Sequence, residues 1–193
     1  STDIYNIGVG HQAGTNLTTG GTNTLVGGLA GDAITTGNQN VAMGFSALSS
    51  NTTAGENTAV GTQSMNSTTT GSNNTAFGIN TLYSNSTGGN NTALGRLALY
   101  TNSTASDNVS IGNSSMQLNT TGASNTGVGS SAMSANTTGG TNVAFGIQAL
   151  DANTTGTANV ALGSTALTNA TTASQNTACG HQSLNACTTG GDN

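Results

Sequence analysis

Asparagine returns every 17 residues along this chain, at 6, 23, 40, 57, 74, 91, 108, 125, 142, 159 and 176, without a slip. Glycine stands four residues after each of them, from Gly10 to Gly180, and threonine thirteen residues after each, from Thr19 to Thr189. Eleven units fill 6–192, and Asn193 has the residue type that opens a twelfth. A period held this strictly constrains the fold more than any local propensity, because equal positions must lie above one another in a stacked solenoid. The chain therefore divides into an N-terminal flank, 1–5, and a single repeat domain, 6–193.

With the asparagine as position 1, the unit reads N-[T/V]-A-Φ-G-x-x-[A/S]-[L/M]-x-x-N-T-T-G-x-x, where Φ is apolar. Alternation over N-T-A-Φ-G is the period-2 signature of a short strand. The segment x-x-[A/S]-[L/M] suits a second strand or a turn, and N-T-T-G is turn chemistry, with Asn and Gly expected to take the positive φ angles. Helix is disfavoured by a glycine in every unit and by the abundance of Thr, Asn and Ser. The expected fold is all-β, a parallel β-solenoid of eleven 17-residue coils. Its columns include Asn57, Asn74 and Asn91, then Gly61, Gly78 and Gly95, and then Thr70, Thr87 and Thr104.

Each coil carries two large apolar side chains, at positions 4 and 9, and both are expected in its core. That is thin for 17 ordered residues, so a neighbouring chain is expected to close the core. Small residues at positions 3, 5 and 8 would let it approach.

Composition removes several functions. Only 4% of residues are charged, and one basic residue against six acidic ones gives a net charge of −5. No basic surface exists for a nucleic acid backbone, and no apolar run is long enough to span a membrane. The acids are Asp3, Asp32, Glu56, Asp107, Asp151 and Asp192. Glu56, Asp107 and Asp192 share position 17, but the nearest two lie three coils apart, about 14 Å at strand spacing. Paired-carboxylate chemistry needs a closer pair. His11 and His181 sit in opposite end units, and no aspartate ladder suggests calcium. No enzyme activity, metal or cofactor is expected.

Three local features stand out. Cys179 and Cys187 fall in one unit, nearly halfway round the coil from each other, as a disulfide or as two small buried thiols. Tyr83 and Tyr100 share position 10 in adjacent units and should stack, with Arg96 close by. That group suits a cell-surface glycan, or is a stabilising stacked pair. Threonines at positions 13 and 14, such as Thr18 with Thr19 and Thr35 with Thr36, form a double hydroxyl ladder in which only Ser86 and Ser103 substitute. Ice or glycan binding through that ladder is the alternative functional class, although adjacent strand residues face opposite sides.

The stretches N-V-A-L-G-S-T-A-L (159–167), N-V-A-F-G-I-Q-A-L (142–150) and N-T-A-V-G-T-Q-S-M (57–65) resemble the head repeats of trimeric autotransporter adhesins of the YadA type. Similar repeats occur in bacteriophage tail fibres. The resemblance runs over essentially the whole chain, through a short motif, although the unit here is longer in or near N-T-T-G. It implies a left-handed parallel β-roll, three chains around one axis, and a role in surface attachment. A solenoid also leaves strand edges unpaired at its ends, and neither an initiating Met nor a signal segment is present. A processed piece of a longer fibre, or copies stacked end to end, is therefore expected, at a cell surface, on a virion or elsewhere outside the cell.

Overall fold

The computed structural model describes residues 4–193; Asp3 lies outside them. Eleven strands of three residues follow one another: β1 (Ile7–Val9), β2 (Thr24–Val26), β3 (Val41–Met43), β4 (Thr58–Val60), β5 (Thr75–Phe77), β6 (Thr92–Leu94), β7 (Val109–Ile111), β8 (Thr126–Val128), β9 (Val143–Phe145), β10 (Val160–Leu162) and β11 (Thr177–Cys179). They form one sheet in sequence order. Neighbours are parallel and offset by one unit, so Thr58, Ala59 and Val60 face Thr75, Ala76 and Phe77. Each unit is one coil of a parallel β-solenoid, and the described residues contain no helix.

The strands are short because the backbone turns sharply after them. Glycine at position 5 has φ between 121° and 139° in every coil, a region closed to residues with a Cβ. A Cβ on Gly61 would also lie 2.4 Å from the carbonyl oxygen of Gly78 in the next coil. Position 5 is therefore small so that the coils of one chain can stack, and not to admit another chain. The other positive φ angles fall at positions 7, 9 and 17, as in Gln63 (55°), Met65 (50°) and Asn73 (61°). They do not fall in N-T-T-G, as turn chemistry suggested. The x-x-[A/S]-[L/M] segment is a turn and makes no second strand.

Two asparagine columns run through the interior. In column 1, the backbone N–H and Nδ2 of Asn74 both donate to Oδ1 of Asn57, at 3.0 and 3.2 Å, and Nδ2 donates again to the Gly88 carbonyl at 2.9 Å. The group thus bonds its own coil to the one before, and its invariance follows. Column 12 makes a second ladder from Asn85 to Asn153, each Nδ2 donating to the preceding Oδ1. Around these amides lie Ala at position 3, Ala or Ser at position 8, and Leu or Met at position 9, fully buried from Leu48 to Leu167. Positions 3 and 8 are small because they face the narrow inside of the coil. They too do not serve a neighbouring chain.

Candidate functional site

The strand alternation settles which side chains face out. Position 3 points inward, so positions 2 and 4 point outward together. The apolar residues of position 4 are therefore not core, contrary to the expectation above. Val9 is 57% exposed, Phe77 41% and Phe145 58%. Val26, Val60, Ile111 and Val128 are half-buried. The resulting stripe is apolar in all eleven coils. At position 6 it is widened by the exposed Phe45, Ile79 and Ile147. The signal was present in the sequence, since a position held small in ten of eleven coils differs from one that takes Phe, Leu and Met.

The cysteines separate for the same reason. Cys179, at position 4, is exposed on the stripe, whereas Cys187, at position 12, packs against the core with Sγ 3.7 Å from the Gly190 carbonyl. Both are free, so of the two alternatives the disulfide is absent, and of the two buried thiols only one is turned inward.

Tyr83 and Tyr100 do stack, with ring centroids 5.2 Å apart and planes at 18°. Each ring thus covers one face of the other. Both are half-buried. Arg96, at position 6, belongs to the edge of the apolar stripe and is exposed. Glu56, Asp107 and Asp192 are exposed at position 17, and Asp107 accepts a bond from Asn90 Nδ2 at 3.1 Å. Asp151, at position 10, accepts from the Ser134 hydroxyl. His11 and His181 are exposed in the first and last coils. Among the described residues no three His, Cys, Asp or Glu side chains gather into a metal-binding group. Having no helix, the described residues offer none long and apolar enough to cross a membrane.

The two threonine columns do different things. At position 13 the hydroxyl is tied to backbone: the Thr137 carbonyl accepts from the N–H groups of Thr120 (2.9 Å), Thr121 (3.2 Å) and Gly122 (3.3 Å), and from Thr120 Oγ1 (3.0 Å). Ser86 and Ser103 make the same contact, which explains why serine substitutes there. At position 14 all eleven threonines are exposed. The double ladder is therefore a fully displayed column beside one that is mostly half-buried and tied to backbone.

Comparison with protein-family models, curated proteins and solved structures finds no match for this chain.

Proposed function

We propose that this chain is a non-enzymatic fibre module of a phage tail fibre or bacterial surface adhesin. It is a stiff extracellular rod that extends or presents a receptor-binding end. Three copies, each a left-handed roll, pack in parallel about one axis through their position 4 stripes. The observation that carries the reading is the stripe itself. Eleven consecutive outward positions are apolar in a chain where 33% of residues are hydrophobic, and continuous exposed apolar surface of this kind marks an interface. The resemblance to adhesin head repeats points the same way. Threonine, valine or isoleucine at position 2 and small or apolar residues at most of position 6 leave the stripe almost free of charge; Arg96 is its only Lys or Arg, and His11 and His181 stand at its ends.

Light scattering over a dilution series tests the assembly. A stable mass near three times 18.7 kDa, about 56 kDa, is expected; a persistent monomer overturns it, and rods of growing length mean an end-to-end filament instead. Cys179 tests the packing. In a parallel, in-register assembly its copies meet on the axis, so mild oxidation of a Cys187→Ser variant cross-links chains. An antiparallel arrangement sets Cys179 against Val9 and gives no link.

A further inference from the structure

Invariance within the repeat has an internal cause at nearly every invariant position. Asparagine at position 1 donates three hydrogen bonds, as Asn74 does to Asn57 and Gly88. Glycine at position 5 has a φ and a contact that admit nothing else. Position 14 is as invariant as either, threonine in all eleven coils, yet none of these hydroxyls bonds to another group of the described residues. β-Branching does not account for the choice. Position 2, also partly exposed and β-branched, holds six threonines, four valines and an isoleucine. Where only the branched shape matters, threonine and valine interchange; at position 14 they never do. Something outside the chain requires the hydroxyl.

The surroundings define what that partner is. Positions 13 to 16 carry no ionisable side chain in any coil, position 15 is Gly or Ala, and position 16 is mostly Gly, Ser or Ala. In nine of the eleven coils the position 13 hydroxyl and two or three N–H groups fix the turn onto one carbonyl, so the column is held rigidly. It therefore presents one methyl and one unpaired hydroxyl per coil, repeating at about 4.8 Å over roughly 50 Å. A folded protein partner presents varied chemistry and would select varied residues along the column. Identical residues at constant spacing match a partner that is itself periodic and uncharged. We infer that the position 14 column is an ice-binding edge, its hydroxyls bonding to, and its methyls ordering, the water of an ice surface. The column lies apart from the position 4 stripe, so the activity goes beyond the fibre role and does not depend on it.

The 193-residue chain is tested by its partition into a slowly growing ice hemisphere, beside Thr87→Lys/Thr121→Lys/Thr155→Lys and, as a control at exposed position 17, Ser124→Lys/Thr141→Lys. Circular dichroism melts confirm that each variant folds. The expected result is enrichment of the wild type and the control in the ice, with the column variant losing about tenfold or more because a broken array loses its multivalency. Exclusion of the wild type from ice overturns the inference, and so does equal enrichment of the column variant. Exclusion from ice together with retention on crystalline chitin or cellulose also overturns it, in favour of a periodic polysaccharide.

Discussion

The first two coils and the central coils solve one packing problem with opposite chemistry. From coil 5 to coil 9, position 9 is Leu or Met and position 12 is Asn. In coils 1 and 2, position 9 is Gly14 or Gly31, and position 12 is Leu17 or Ile34. The apolar bulk has moved three residues along the coil into the place of the amide. Leu25 at position 3 of coil 2, fully buried where the other coils hold Ala, Gly or Ser, completes the exchange. A Cβ on Gly31 would sit 2.8 Å from both Ile34 Cδ1 and Leu25 Cδ2. Leu25 also reaches under Gly14, 2.7 Å from where its Cβ would lie, so the bulk lost at position 9 is refilled from positions 3 and 12, as close-packed interiors require. The hydrogen-bond ladder of column 12 is replaced by side-chain packing alone. Columns 1 and 5 do not change between the two regions. They are the frame, and positions 9 and 12 are interchangeable filling whose residues are matched within each coil.

The comparison is broken most severely in the central region. Leu99→Ala empties a site that is fully buried and is expected to lower unfolding stability by about 2–5 kcal/mol, read from denaturant midpoints. In coil 2, Gly31→Leu should cost about 1–3 kcal/mol by overpacking. The triple variant Gly31→Leu/Ile34→Asn/Leu25→Ala, which converts coil 2 to the central type, should recover most of that loss. If it melts no higher than the single variant, the two fillings are not equivalent.

A gain of stability is expected where the amide ladder stops. Asn153 Oδ1 is buried without a partner, because the next residue in its column, Ala170, has no donor. Ala170→Asn should supply one and raise stability by about 1 kcal/mol. Room for it is shown by Asn51 and Asn102, each of which donates to an alanine carbonyl three residues on, Ala54 and Ala105. An unchanged thermal midpoint would mean that the orphaned oxygen is already solvated. The smallest effect separates the two threonine columns. Thr120→Val removes the bond to the Thr137 carbonyl and should cost about 1 kcal/mol. Thr121→Val, at an exposed hydroxyl, should stay within about 0.5 kcal/mol of wild type.

The period alone made the solenoid, its parallel register and the stacked Tyr83–Tyr100 pair legible, because each needs only that equal positions coincide. What the period does not state is the direction of each side chain round the coil. That depends on where the backbone reverses, and here it reverses mostly at left-handed Leu, Met, Gln and Ser residues, such as Leu82 (φ 52°), of which Leu, Met and Gln give no hint of a turn. Hence the apolar residues of position 4 looked like core, and Cys179 and Cys187 looked like a facing pair. The exchange between Gly31 and Ile34 was visible as irregularity in the first units, but its meaning required the distances. Nothing in the residue types distinguished the tied threonine column from the displayed one, apart from the serines at 86 and 103.

The column 1 ladder makes length a free variable. Every asparagine offers the coil on one side what it takes from the coil on the other, so a whole unit can be duplicated or excised and the bonds re-form across the join. Each such event changes reach by about 4.8 Å and leaves chemistry untouched. A deletion of any other size rotates every later column out of line. A chain built this way is a ruler, graduated in whole units.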